Sequence, residues 1–147
     1  MRKEAIPLIL ARVFPRRTNA TPDDGLAFFA PPPPMLPHID EVHVSVAFTY
    51  DLPEAERLAE VWQKTGIPVK LGGPAMNEPG GDFVPGRYVR PGYVITSRGC
   101  NNRCWFCAVP KREGFRLREL PISEGSIILT TICLPVPKPM SALYSPC

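Results

Sequence analysis

Three of the five cysteines stand close together, in the segment TSRGCNNRCWFCAVPKREG. Cys100, Cys104 and Cys107 follow the spacing C-x-x-x-C-x-x-C, whereas a structural zinc site ordinarily needs a fourth Cys or His nearby. His38 and His43 precede this segment by more than fifty residues, so neither is placed to act as that fourth ligand. Three thiolates leave one coordination position open, which suits a metal centre that binds and transforms a small molecule. An iron-sulfur cluster fits this pattern better than zinc does.

The composition and charge exclude some classes of protein. The formal net charge of +3, from 17 basic against 14 acidic residues, is too small to indicate a nucleic-acid partner. The early apolar run IPLILARVF is interrupted by Arg12 and lacks a small-residue cleavage site, so we expect no signal peptide. No stretch reaches the length of a membrane span. We expect a cytoplasmic protein, and in that reducing compartment clustered cysteines are more often metal ligands or catalysts than disulfides.

The elements that must position the cysteines indicate an α/β protein. Residues 41–50, EVHVSVAFTY, are rich in β-branched and aromatic side chains and predict a buried strand. A helix is predicted next, in DLPEAERLAEVWQKTG, because Asp51 can cap it, Pro53 suits its first turn, and one apolar face holds Ala55, Leu58, Ala59 and Trp62. IPVKLGG then predicts a second strand. Strand, helix and strand in this order predict a βαβ unit with parallel pairing.

The chain divides by composition into four predicted segments. Residues 1–40 hold the PPPP run and are expected to form a loose proline-rich segment without chemistry. Residues 41–91 form the α/β half-domain, and their glycines, in LGGPAMNEPGGDFVPG, fit turns rather than a phosphate loop. Residues 92–125 start with a short strand, residues 93–96, that leads into the cysteines. The cysteine loop is therefore expected at the C-terminal end of a strand, where α/β proteins place their sites. Residues 126–147 are expected to be an irregular tail.

The segment GCNNRCWFC resembles the defining motif of the radical S-adenosylmethionine superfamily, C-x-x-x-C-x-aromatic-C, with Phe106 at the aromatic position. The resemblance implies that Cys100, Cys104 and Cys107 hold a 4Fe-4S cluster whose open iron is chelated by S-adenosyl-L-methionine. It further implies reductive cleavage of S-adenosyl-L-methionine to a 5′-deoxyadenosyl radical that abstracts hydrogen from an unknown substrate. A reductant such as flavodoxin or ferredoxin would supply the electron. Phe106 would shield the cluster or pack near the adenine.

The resemblance extends over residues 41–125, where VSVAFTYDLPEAERLAEVW, VKLGGPA and REGFRLRELPI are similar to a bacterial group of radical S-adenosylmethionine proteins. It implies a βαβ half-domain that leads into the first strand of an incomplete (β/α) partial TIM barrel. The superfamily's GGE-type motif should follow the cysteines, whereas LGGPA precedes them. We therefore expect an N-terminal fragment of such an enzyme. The degeneracy of the genetic code also permits the tail from residue 126 to be the product of a frame-shifted translation. No D-x-H-x-x-G motif is present, so cobalamin is not expected.

Two other functions stay open at this point. One is a non-catalytic zinc or iron-sulfur binding module with Cys133 as the fourth ligand. The other is a nucleic-acid or protein interaction module whose loop is held by metal, with Trp105 at the surface or in a partner contact. Four basic residues lie near the cysteines: Arg98, Arg103, Lys111 and Arg112. Their charge would raise the potential of a cluster or steer an electron donor, and a plain solvated basic loop is the alternative.

Overall fold

The computed structural model describes residues 8–76, 84–107, 109–121 and 123–129. The chain forms two compact units, Met1–Met76 and Asn77–Cys147. Among the described residues, none of the helices has the length and apolar character that crossing a bilayer requires.

The first unit is a four-stranded parallel sheet with a helix packed against it. The sheet order is β2-β1-β3-β4, with strands β1 (Leu10–Val13), β2 (Ala27–Phe28), β3 (Glu41–Ser45) and β4 (Val69–Gly72). Helix α1 (Leu52–Gln63) connects β3 to β4. The strand, helix and parallel strand that the sequence predicts after residue 40 are therefore present, with Val42 opposite Val69 in the register.

Helix α1 presents its predicted apolar face to the sheet. Its buried residues are Ala55, Leu58, Ala59 and Trp62, and they share one core with the buried valines of β1 and β3. The Trp62 side chain is fully buried, and its indole N–H donates a hydrogen bond to the carbonyl oxygen of Ala30 at 3.2 Å. Its ring meets Phe28 edge to face, with 5.0 Å between the centroids. The chain after β2 is thereby fastened to α1.

The proline-rich start is more ordered than the sequence predicts. The expectation of a loose segment over residues 1–40 is wrong for β1 and β2, because β1 pairs with β3 inside the sheet. Ala11 and Val13 of β1 are fully buried. These two strands have four and two residues, which is too short for a hydrophobic period to show in the sequence.

Asp51 stands at the N-cap of α1 without capping it through its side chain. Its carboxylate instead accepts hydrogen bonds from Nε and Nη2 of Arg16, each at 2.9 Å. These hydrogen bonds and the charge of Arg16 lower the pKa of Asp51 below its ordinary value. The pair joins the segment after β1 to the start of α1.

In the described part of the second unit, the chain forms two short strand pairs and one short helix. In chain order its elements are β5 (Gly92–Val94), β6 (Ser97–Arg98), α2 (Val109–Glu113), β7 (Arg118–Glu119) and β8 (Gly125–Ile128). β5 pairs in parallel with β8, and β6 pairs antiparallel with β7. The strand predicted over residues 93–96 overlaps β5, which ends earlier, at Val94.

Strand β8 corrects the expectation of an irregular tail from residue 126. Residues 126–128 belong to β8, because this segment pairs with β5 and the N–H of Leu129 donates to the carbonyl oxygen of Val94 at 2.7 Å. The rest of the predicted tail, residues 130–147, lies outside the described residues. The partial TIM barrel stays a prediction.

Candidate metal centre

The three cysteines lie between β6 and α2, shortly after the C-terminal end of β5. Strands β6 and β7 pair with Ser97 opposite Glu119 and Arg98 opposite Arg118. The chain therefore leaves this ladder at Arg98 and returns to it at Arg118. We call the segment between these two residues the cysteine loop. Its position beyond the carboxyl end of a parallel strand is the place where open α/β sheets hold ligands.

The three thiols are free, and they differ in exposure. Cys100 is buried, Cys107 is half-buried and Cys104 is exposed. The Cys100 Sγ accepts a hydrogen bond from the backbone N–H of Asn102 at 3.3 Å. The N–H of Cys107 donates to the carbonyl oxygen of Cys104 at 3.2 Å, which places these two cysteines at the ends of one turn.

The three cysteine thiols are chemically suited to hold an iron-sulfur cluster. Thiolates are the soft ligands that such clusters use, and three unpaired thiols are present on one short loop. Within the part of the chain that the structure describes, no three His, Cys, Asp or Glu side chains are already gathered around a metal-sized site. Binding a cluster through all three cysteines therefore requires their sulfurs to converge.

Glu113, at the end of α2, holds the start of the cysteine loop. Its Oε2 accepts from Nε of Arg98 at 2.8 Å, and its Oε1 lies 2.7 Å from Nη2 of the same arginine. Oε2 also accepts from the backbone N–H of Gly99 at 2.9 Å. The side chains of Arg98 and Glu113 are only 20% and 12% exposed. The charge of Arg98 is therefore balanced by Glu113 at the start of the cysteine loop.

Gly99 occupies a position that only glycine fits. Its φ is +81°, and a Cβ atom built there would lie 2.2 Å from the carbonyl oxygen of Arg116. The backbone N–H of the next residue, Cys100, points to the carbonyl oxygen of Gly114 at 3.5 Å. The two sides of the cysteine loop therefore approach each other closely just before the first cysteine.

The aromatic residues of the cysteine loop face solvent. Phe106 is 75% exposed and Trp105 is 91% exposed, and their rings meet at 88° with 5.6 Å between centroids. The guanidinium of Arg103 lies over the ring of Phe115, which is also exposed, at 5.4 Å from its centroid. Trp105 is thus at the surface, as predicted, while Phe106 has apolar surface available for a ligand.

Sequence reasoning missed Glu113 and the strict need for glycine at position 99. Glu113 is fifteen residues from its partner Arg98, and no local period connects two residues so far apart. The signals present in the sequence are the glycines, because Gly99 and Gly114 both adopt positive φ and stand next to the two partners of the ion pair. Two glycines flanking a cysteine cluster can therefore indicate where such a loop closes.

A cavity of about 350 Å³ lies elsewhere in the second unit. Its lining includes all three residues of β5 and Glu124, which directly precedes β8. None of the three cysteines lines it. The cysteine loop and this cavity are therefore separate features.

Comparison with known proteins gives one short match. The chain is 46% identical over 46 residues to the ribosomal protein uS12 methylthiotransferase RimO of Rhodopseudomonas palustris (strain ATCC BAA-98 / CGA009). The match covers 28% of this chain and 10% of that relative. No family model matches the chain, and no solved structure matches it.

Proposed function

We propose that this chain is the cluster-binding part of a radical S-adenosylmethionine enzyme, with Cys100, Cys104 and Cys107 as ligands of a 4Fe-4S cluster. The observation that supports it is that three free thiols with this spacing share one loop beyond a parallel strand. When bound, such a cluster supplies the electron that cleaves the sulfonium C–S bond of S-adenosyl-L-methionine, which gives methionine and a 5′-deoxyadenosyl radical. Cys100, Cys104 and Cys107 would hold three of the irons, which would leave one iron available to S-adenosyl-L-methionine.

The residues of the cysteine loop have distinct tasks in this proposal. Cys100 is buried and held by its hydrogen bonds, so it provides a fixed first ligand. Cys104 is exposed and can move to meet an iron atom that enters from solvent. Phe106 has exposed apolar surface that packing against the adenine ring would bury. The reductant in the proposal is a flavodoxin or ferredoxin, and the compartment is the cytoplasm.

Metal analysis tests the proposal against a zinc module. After anaerobic incubation with iron, sulfide and zinc, we expect about four irons per chain and visible absorption from a cubane cluster. Cys104→Ala should lose both, because one ligand is missing. Cys133→Ala is the matched control and should keep both. A colourless protein that binds zinc, and loses it in Cys133→Ala, would contradict the proposal and support a structural zinc site with four ligands.

A further inference from the structure

The proposed chemistry does not use the carboxylate of Glu113, although this side chain binds Arg98 and Gly99 directly before the first cysteine. We infer that Glu113 is a positioning residue, whose carboxylate joins the two ends of the segment from Arg98 to Glu113 and holds Cys100 ready to receive the cluster. The inference rests on the proposed function, because it assigns a role toward the same metal centre.

The carboxylate binds two consecutive residues at the start of the loop. It receives two contacts from the guanidinium of Arg98, at 2.8 and 2.7 Å, and one hydrogen bond from the N–H of Gly99 at 2.9 Å. Both charged side chains are largely removed from water. Hydrogen bonds between charged groups are stronger than neutral ones, and a bidentate arginine pair also fixes orientation. Arg98 and Gly99 are therefore held firmly immediately before Cys100.

The backbone around Glu113 is itself held in place by hydrogen bonds. It ends α2, the backbone carbonyl of Glu113 accepts from Nη2 of Arg118 at 3.2 Å, and the N–H of Gly114 donates to the carbonyl oxygen of Pro110 at 2.9 Å. All three predicted ligands lie between Arg98 and Glu113 in the chain. The ion pair therefore joins the two ends of the segment that carries them.

Closing this segment in advance lowers the cost of binding a cluster. A loop whose ends are already joined loses less conformational entropy when its ligands are fixed around a metal. Cys100, next to the junction, is the buried cysteine, whereas Cys104, farther along the loop, is exposed. Glu113 thus acts through Arg98 and Gly99 and does not need to touch the cluster.

The test compares Glu113→Gln with a matched control, Glu54→Gln. Glu54 also binds an arginine through two contacts, from Arg57 at 2.8 and 2.6 Å, but that pair is exposed on α1. In the metal-free protein, we expect alkylation of Cys100 and amide exchange at Gly99 to be about tenfold faster in Glu113→Gln, because a hydrogen-bonded charge pair is lost. Neither rate should change in Glu54→Gln.

Cluster assembly supplies the second measurement. Iron retained per chain after reconstitution and desalting should fall severalfold in Glu113→Gln and stay unchanged in Glu54→Gln. If Glu113→Gln does not fold, as judged by circular dichroism, Arg98→Lys replaces it. That variant keeps the charge but removes the bidentate contact, so it should change both measurements in the same direction.

The outcomes separate this inference from the proposed function. If the unmodified chain builds no cluster, the proposed function is contradicted, and Cys100 alkylation in metal-free protein still tests the role of Glu113. The inference is overturned if Cys100 alkylation and iron retention in Glu113→Gln equal those of the unmodified chain. If Glu113→Gln does not fold, the same criterion applies to Arg98→Lys. Equal acceleration in Glu54→Gln would also overturn it, because the effect would then be a general loosening.

Discussion

At the scale of single residues, Gly99 is constrained by a neighbouring atom as well as by its backbone angle. Gly99 and Gly114 have nearly equal φ values, +81° and +84°, but only at Gly99 would a Cβ meet another atom, the Arg116 carbonyl oxygen. We expect Gly114→Ala to cost about 1–2 kcal/mol, the usual penalty of a left-handed conformation. Gly99→Ala should cost more, because the backbone around Arg116 must also shift.

Thermal unfolding together with amide exchange in the cysteine loop measures the loss of stability in both glycine variants. The expected order of stability is the unmodified chain, then Gly114→Ala, then Gly99→Ala. Equal losses in the two variants would contradict the close approach of Gly99 to Arg116.

At this scale the sequence predicts the candidate ligands, but it does not predict the residues that hold them in place. Cys100, Cys104 and Cys107 are recognisable because metal ligands recur at fixed short spacings. Glu113 is not recognisable, because its partners are distant in the chain and an acidic residue after two basic ones is ordinary on a protein surface. The basic charge of Arg98 can be read from the sequence, but its neutralisation by Glu113 depends on the fold.

At the scale of elements, Trp62 is the largest side chain that α1 buries against its sheet. Trp62 is fully buried, contacts Phe28, and donates a hydrogen bond to Ala30. Trp62→Ala should lower the free energy of unfolding by about 3–5 kcal/mol, because a large cavity and a lost hydrogen bond are created together. Denaturant unfolding followed by circular dichroism measures the loss.

Trp105→Ala is the matched control for Trp62→Ala, because it makes the same chemical change at a residue that is 91% exposed. We expect its effect to stay within about 0.5 kcal/mol. A small loss in Trp62→Ala, no larger than that in Trp105→Ala, would contradict the packing of α1 on the sheet.

The start of α1 makes stability depend on pH. Hydrogen bonds from Arg16 lower the pKa of Asp51 in the folded state, whereas in the unfolded chain the group titrates near its ordinary value, about 3.9. The pair therefore stabilises the fold above that value, and its contribution is lost as the pH falls through the lower folded-state pKa. Arg16 is half exposed, so salt should weaken the effect.

Asp51→Asn tests this pH dependence. The variant should be less stable than the unmodified chain at pH 7, and the difference between them should disappear in acid. Urea unfolding over a series of pH values gives both quantities. A difference that is the same at pH 7 and in acid would mean that the charge of Asp51 does not stabilise the fold.

The sequence predicts long elements better than short ones. The twelve residues of α1 are enough for a helical period to appear, and the two strands beside it follow from the βαβ pattern. Strands β1, β2 and β8 have two to four residues and are defined by pairing with distant strands. Their existence depends on tertiary contacts, which no local pattern contains.

At the scale of the whole molecule, the core and the chemistry belong to different units. The large hydrophobic core, which includes Val44, Leu58 and Trp62, lies within Met1–Met76. The cysteine loop belongs to Asn77–Cys147, and its unit presents exposed Trp105, Phe106 and Phe115. Loops carry function more often than cores do, because they can change shape when a ligand binds. The convergence of the three thiols that cluster binding would require fits this division.

The proposed function requires an iron left open for S-adenosyl-L-methionine beside three cysteine ligands. The most direct measurement is the electron paramagnetic resonance spectrum of the reconstituted, reduced 147-residue chain, recorded with and without S-adenosyl-L-methionine. We predict a cubane cluster signal that changes when S-adenosyl-L-methionine is added and that is absent in Cys104→Ala. A cluster signal that S-adenosyl-L-methionine leaves unchanged, or one that persists in Cys104→Ala, would contradict the account.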